Sequence, residues 1–470
     1  MRYLSTRGEA PALGFNDVLL AGLAPDGGLY VPESWPQLAP AVLNGLVGHS
    51  YAEVATEVIF PFVAGDLDKA TLAALARETY AAFSHAAVAP LRQVGGADWV
   101  LELFHGPTLA FKDFALQLLG RLFDRALAAR GTRITIVGAT SGDTGSAAIA
   151  GCRGRANMDI FILHPWGRVS EVQRRQMTTV ADANVHNIGI DGSFDDCQAL
   201  VKALFQDRPL REALHLSAVN SINWARVMAQ IVYYVTTAVA LGAPDRAVSF
   251  AVPTGNFGDV FAGYAASRMG LPIERLIVAT NRNDILARFF ASGEYRVGEV
   301  TPTISPSMDI QVASNFERLL LDLHDGDGGA VVRDMTKLRD DGGFRVSARS
   351  LEKARRLFDG HRVDESETKA AIATTYSETG WLADPHTAVG LAAARLRHDP
   401  RQPTVTLATA HAAKFPDAVE AAVGIRPEVP RRLAELAGLP ERCAQLKADF
   451  GAVKDFIVKH AWLGQGTTVT

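Results

Sequence analysis

The sequence predicts an α/β protein in which parallel sheets are covered on both faces by helices, with a mainly helical N-terminal domain ahead of them and an accessory helical insertion. Three observations carry this. From Trp99 onward, short β-branched runs alternate with longer amphipathic stretches, the pattern of strands and crossover helices in buried parallel sheets. Before Gly95 the apolar residues recur at helical spacing instead. Between about Gly293 and Thr368 the alternation stops.

In chain order, helical spacing runs over 16–23, 52–60 and 67–77, with Gly/Pro-rich turns such as 24–28 between them. The strand runs are 133–137, 160–164, 185–190, Val248–Pro253, 276–280 and Thr404–Ala408, and helical patterns at 114–127, 147–151 and 260–269 follow turns. The irregular stretch holds a loop-like segment at 300–307, an acidic glycine segment at 322–329 and a charged helical pattern at 347–357. The expected division is an N-terminal domain at 1–95, a large α/β domain from 96–132, 221–292 and 369–470, a small α/β domain at 133–220, and the insertion at 293–368. No internal repeat stands out.

A chain of 470 residues is long enough for two or three domains with separate cores. At 48% hydrophobic and 21% charged residues it has the balance of globular proteins rather than disordered ones. Lys plus Arg number 47 against 51 Asp plus Glu, a net charge of −4, so no global positive field exists to hold nucleic acid. Cys152, Cys197 and Cys443 are scattered and lack metal-ligand spacing, which favours a reducing cytoplasm and no metal. The first eleven residues carry charges and no apolar core, unlike an ordinary secretory signal. The longest apolar run, 227–241, is interrupted by Gln230, Thr236 and Thr237 and is shorter than the roughly 20 residues of a spanning helix. It reads as a buried helix, and no membrane partner is expected.

Chemistry collects in three places. Gly255, Asn256, Phe257, Gly258 and Asp259 follow the strand Val248–Pro253 and precede a helical pattern. Glycines there let backbone N–H groups turn inward, and the helix N-terminus adds its positive dipole end, so the loop suits a phosphate. It matches neither common nucleotide-binding glycine pattern. Asp259 has the wrong charge for a phosphate contact and is expected to cap the helix. A second strand–loop–helix junction, Gly138 to Ser146, adds the hydroxyls of Thr140, Ser141 and Thr144 around Gly142, which can bond a carboxylate or merely satisfy turn amides. The third place is the GPTLAFKD segment, Gly106 to Asp113, where Lys112 stands at a helix start in apolar surroundings. Desolvation and the dipole both disfavour an ammonium there and leave some neutral amine able to attack an aldehyde.

GPTLAFKD, GATSGDTGSAA (138–148) and PTGNFGD (253–259) in that order resemble the threonine synthase family, in the longer form found in many bacteria and in fungi, over nearly the whole chain. Also similar to that family are 14–32 (GFNDVLLAGLAPDGGLYVP), 192–198 (GSFDDCQ), 220–226 (NSINWAR), 305–310 (SPSMDI), 314–318 (SNFER) and 384–390 (DPHTAVG). The resemblance implies a fold-type-II pyridoxal 5′-phosphate enzyme with two α/β domains clasping the cofactor. Its activity would convert O-phospho-L-homoserine and water to L-threonine and phosphate. The alternatives are a related phospholyase or dehydratase giving a keto acid and ammonia, or a catalytically silent cofactor-binding scaffold. A monomer or homodimer in the cytoplasm is expected.

By the same resemblance, Lys112 matches the lysine that holds the cofactor aldehyde, and Gly255 to Asp259 match the loop around its phosphate. Thr140, Ser141, Gly142 and Thr144 match the loop that grips the substrate carboxylate, and Thr409 matches the hydroxyl residue facing the pyridine nitrogen. Many fold-type-II enzymes carry Asn where Asp143 stands, facing the cofactor's phenolic oxygen, so Asp143 is either protonated or turned elsewhere. Asn223, Arg226, Lys414 and Ser141 are the candidates for the substrate phosphate. Ala412 stands where the family often has proline after its histidine, which bears on the geometry of His411 and Lys414.

Overall fold

A computed structural model describes residues 1–218, 221–397 and 399–462. Asn220, His398 and 463–470, which fall within segments and domains named above, lie outside the described residues. The chain divides into two compact units, one of Met1–Phe111 with Ser221–Glu428, the other of Lys112–Asn220 with Val429–Thr470.

The first unit is built on a six-stranded sheet in the order Phe358–Arg362, Ile273–Thr280, Val248–Pro253, Thr404–Ala408, Asp98–Glu102, Leu91–Gln93. All neighbours are parallel except the last pair. Val248–Pro253 and Thr404–Ala408 are buried along their whole length, because helices cover both faces. Gly390 of helix Pro385–Arg395 lies against Thr406 and Pro253, and Gly263 of helix Gly258–Arg268 lies against Leu276 and Tyr234. Thr406 pairs with Ala251 and Leu276 with Phe250, adjacent residues of one strand, so the two helices press on opposite faces.

Two parts of the expected division need correction here. The N-terminal segment does not stand apart as a 1–95 domain. It contains helices Phe15–Ala21, Tyr51–Val63 and Lys69–Tyr80, and the rings of its Tyr3, Trp35 and Phe62, the last in helix Tyr51–Val63, lie 6.0, 6.1 and 5.6 Å from that of the fully buried Trp224, which opens helix Trp224–Ala240. Large aromatic rings so packed bury too much apolar surface for the segment to be independent. The 293–368 insertion is helical as expected, with the 347–357 pattern present as Ala348–Arg355 and two further helices, Phe316–Leu323 and Gly328–Asp341, that no pattern marks, but it also supplies Phe358–Arg362, the edge strand of the main sheet. Its sequence, FDGHR, is too polar to read as a strand, as suits an edge.

The second unit is a five-stranded parallel sheet in the order Ala444–Lys447, Val185–Asp191, Met158–Pro165, Ile134–Ala139, Leu216–Ser217. Helix Lys112–Arg130 and the tail from 429 belong to this unit, whereas the sequence reading gave both to the large domain. The helix meets Asp143–Cys152 so closely that a Cβ on Gly120 would stand 2.0 Å from Gly151 O. The tail contributes Ala444–Lys447, with Gln445 and Lys447 exposed, and helix Phe450–His460, whose Val453 and Ile457 enter the core with Cys197 and Leu204. A four-residue strand with two exposed polar residues carries no readable apolar run. Among the described residues no helix is long and apolar enough to cross a membrane.

Candidate active site

The candidate residues are distributed over both units. In the first, strand Val248–Pro253 runs into a turn fixed by Thr254, whose N–H donates to Ala279 O at 2.8 Å and whose hydroxyl donates to Val252 O at 2.6 Å. Among the described residues, the N–H groups of Gly255 through Asp259 find no protein acceptor. Five such donors at a helix N-terminus form a cradle for an anion. Phe257 holds the left-handed conformation, φ 62° and ψ 4°, a strain of about 1 kcal/mol for a side-chain-bearing residue. Its ring is pinned among Phe290, Phe316 and Phe358 at 6.3, 5.3 and 5.7 Å. Asn315 donates through its N–H and its Nδ2 to Asn256 O at 3.0 and 3.1 Å. Gly255 is walled by the 305–310 segment: a Cβ there would lie 3.0 Å from Ser307 O and 3.3 Å from Met308 Cα. The geometry therefore fits a phosphate, and only a glycine keeps the wall intact.

Asp259 does not cap its helix. The N-cap is Phe257, with no side-chain bond, and the buried Asp259 carboxyl turns back to accept from the hydroxyls of Tyr233 and Tyr234 through Oδ1. Oδ2 has no partner. Burial pushes its pKa up to about 7, against the opposing pull of the two hydroxyls.

Thr409 follows strand Thr404–Ala408 directly, at its carboxyl end. Its N–H donates to Thr387 Oγ1 at 3.2 Å and its carbonyl accepts from Phe111 N–H at 2.9 Å. Asn223 has a structural task instead of a ligand's. Its Oδ1 caps helix Trp224–Ala240 by accepting from Ala225 N–H, and its Nδ2 donates to Leu19 O. Arg226 is buried, its Nη1 without a partner among the described residues, and burial brings its guanidinium down to about 10, so it is still a cation near neutral pH. Lys414 is completely buried and donates to Thr108 O at 2.8 Å. Ala412 is no obstacle to the local turn: Ala412–Lys414 forms a short 3₁₀ helix capped by His411, whose Nδ1 accepts from Ala413 N–H.

In the second unit Lys112 opens helix Lys112–Arg130, and its Nζ lies 4.0 Å from Asp143 Oδ2. Asp143 thus faces the lysine, and its other oxygen accepts from Gln173 Nε2 at 2.9 Å. Gly142 has φ +147°, and a Cβ there would run into Gln173 at 2.4 Å. Thr140 Oγ1 accepts from the N–H groups of Gly142 and Gly145 at 3.0 and 2.9 Å, so its oxygen holds the loop in shape. Ser141 is exposed and Thr144 half-buried. Among the described residues no cluster of His, Cys, Asp or Glu is arranged to hold a metal.

Three family models match the chain in tandem: threonine synthase N terminus over 2–80, pyridoxal-phosphate dependent enzyme over 87–336, and threonine synthase, C-terminal, over 387–457. It is 56% identical to a threonine synthase from Pseudomonas aeruginosa over 99% of this chain and 100% of that protein. The chain belongs to the threonine synthase family. Among solved structures it is similar to PLP-bound threonine synthase from Brucella melitensis, with TM-score 0.97, 55% identity and coverage of 98% and 100%. The yeast threonine synthase gives TM-score 0.94, 40% identity and 99% of each chain. The enzyme class, pyridoxal-phosphate dependence and fold-type-II architecture expected from the sequence are those of this family.

Sequence reasoning missed Gln173, Tyr233, Tyr234, Asn315 and the Asp384, His386, Thr387 group. All but Asp384 act through a partner distant in sequence, and no local pattern marks such pairs. Asn315 and the last three lie in segments noted for their resemblance, without a role.

Proposed function

We propose that the chain is a cytoplasmic enzyme, monomeric or homodimeric, that converts O-phospho-L-homoserine and water to L-threonine and phosphate. The observation that carries this reading is the match of all three family segments, together with 56% identity to the Pseudomonas aeruginosa threonine synthase over 99% of the chain. Three free cysteines, Cys152, Cys197 and Cys443, support a reducing compartment.

Pyridoxal phosphate, when bound, supplies an electron sink that lets protons leave the substrate's carbon chain. Lys112 would hold its aldehyde, and the amide groups of Gly255 to Asp259 its phosphate. Thr409 would offer a neutral hydroxyl to the pyridine nitrogen, which keeps the ring a milder sink than a carboxylate would. The loop of Ser141, Gly142 and Thr144 would take the substrate carboxylate on N–H and O–H donors, with Thr140 shaping it. Once its amine is free, Lys112 is the base that would take a proton from Cα and then one from Cβ as phosphate leaves from Cγ, return one at Cγ, and return one at Cα after water has added its hydroxyl at Cβ and given up its other proton. Asp143, 4.0 Å away, stabilises the ammonium that this proton transfer creates. Arg226, with its unpartnered Nη1, and the buried Lys414 are the cations offered to the substrate phosphate.

The test is to mix the purified protein, pyridoxal phosphate and O-phospho-L-homoserine, then measure phosphate and the organic product together. One threonine per phosphate is expected, and borohydride should fix the cofactor on the peptide containing Lys112. A keto acid with ammonia in place of threonine, or trapping at another lysine, would overturn the reading.

A further inference from the structure

Asp384, His386 and Thr387, at the start of helix Pro385–Arg395, are 1%, 3% and 0% exposed, and the reaction proposed above gives them no task. Asp384 caps the helix, Oδ1 accepting from His386 N–H at 2.9 Å and Oδ2 from Thr387 N–H at 3.3 Å. The same two oxygens face His386 Nδ1 at 2.9 Å and the Thr387 hydroxyl. A carboxylate so placed accepts from all four, and this fixes the direction of everything beyond it. His386 must carry its proton on Nδ1, which leaves Nε2 bare to accept from Ser307 N–H at 3.2 Å. Thr387 must donate its O–H to Asp384, which leaves its oxygen to accept from Thr409 N–H at 3.2 Å. The Phe415 ring packs on the imidazole at 4.7 Å and holds it in place.

The ends of these two relays are parts of the cofactor site. Ser307 O is the wall 3.0 Å from the Cβ position of Gly255, and Thr409 is the residue assigned to the pyridine nitrogen. We propose that Asp384 is a positioning residue that fixes the His386 tautomer and the Thr387 hydroxyl direction, and so holds the main chain at Ser307 and Thr409 in register for the two ends of pyridoxal phosphate. This rests on the assignment of Gly255 to Asp259 and Thr409 made above.

Asp384→Asn separates this role from capping, because Asn caps helices as well as Asp. Its amide reverses one relay whichever way it turns. With Nδ2 toward His386, the ring proton moves to Nε2 and confronts Ser307 N–H donor to donor. With Nδ2 toward Thr387, the hydroxyl loses its acceptor. Thr387→Val removes the second relay without changing shape and serves if Asp384→Asn does not fold. His386→Gln keeps a carbonyl for Ser307 N–H and has no tautomer to set.

Two readouts do not depend on turnover: the dissociation constant of pyridoxal phosphate, and the ¹⁵N spectrum of histidine-labelled cofactor-free protein, in which His386→Gln identifies the His386 signals. The wild type should show the Nδ1–H tautomer. Asp384→Asn and Thr387→Val should each weaken cofactor binding about tenfold or more, the effect of leaving a buried N–H unmet. Thr387→Ser should restore binding and His386→Gln should stay close to wild type. An Nε2–H tautomer in the wild type, or cofactor affinities unchanged in folded Asp384→Asn and Thr387→Val proteins, would overturn the proposal. Borohydride trapping of wild type tells the two readings apart: failure to label Lys112 sinks the site assignment itself, while labelled Lys112 with unaffected variants sinks only the role of Asp384.

Discussion

Replacing Asp259 by Asn tests the electrostatics behind the phosphate cradle. The carboxyl is buried, accepts from Tyr233 and Tyr234 through Oδ1, and has no partner at Oδ2. Burial raises its pKa from 3.8 to about 7. The folded protein therefore holds this proton more tightly than the unfolded chain. The stability it contributes is present in full below the unfolded pKa and is lost as pH rises through about 7. From 3.8 to about 7 is roughly 3 units, or about 4 kcal/mol in all. More than half of this disappears between pH 5 and pH 8.

Asn has the same shape, keeps a carbonyl for the two hydroxyls and does not titrate. The wild-type stability minus that of Asp259→Asn, from urea unfolding of cofactor-free proteins at matched pH, should fall by roughly 2–3 kcal/mol from pH 5 to pH 8. The infrared band of a protonated carboxylic acid, present in wild type and absent in the variant, should titrate away over the same range. A stability difference that stays flat or grows with pH, or no such band at pH 5, refutes the reasoning.

Gly255→Val puts a side chain against Ser307 O and Met308 Cα, whose distances to a Cβ are already 3.0 and 3.3 Å. Equilibrium dialysis should show cofactor affinity reduced by at least about tenfold in a protein whose cofactor-free melting temperature shifts little; normal affinity in the folded variant removes the cradle. Thr409→Ser should keep most activity, whereas Thr409→Asp, by favouring a protonated pyridine, should bind cofactor yet yield less threonine per phosphate released. Equal rates and product ratios in all three forms, at matched cofactor occupancy, would show that Thr409 does not meet the pyridine nitrogen.

What the sequence made legible was chemistry that uses consecutive residues. An anion cradle at a strand–helix junction needs glycine at particular places, so Gly255 and Gly258 stand out, and strands buried along their whole length, such as Val248–Pro253 and Thr404–Ala408, read to the residue because they are short, mostly apolar, β-branched runs. Polar edge strands do not have that signature, which is why Phe358–Arg362 and Ala444–Lys447 were assigned to other bodies. Asp259 shows a second limit. Asp at a helix start is most often a cap, and nothing local says that two tyrosines on another helix will claim it. Asn223 shows the reverse: a plausible phosphate donor by type, it is held by Ala225 N–H and Leu19 O.

A phosphate dianion is repelled by carboxylates, yet two of them stand within the framework of the phosphate side. Each is handled differently. Asp384 receives four donors, two from main chain and two from side chains, so its charge is compensated locally and its field at a distance is small. Asp259 has only two tyrosine hydroxyls and one bare oxygen, too little to hold a buried charge. It is kept near half-protonated at neutral pH instead. An anion on its own N–H group raises the cost of ionisation further, so binding a phosphate and keeping the Asp259 proton favour one another. The cradle can thus stay strongly donating toward an anion because the acid beneath it is able to be neutral. An Asp fixed in its charged form at that position would oppose the amides that the glycines expose.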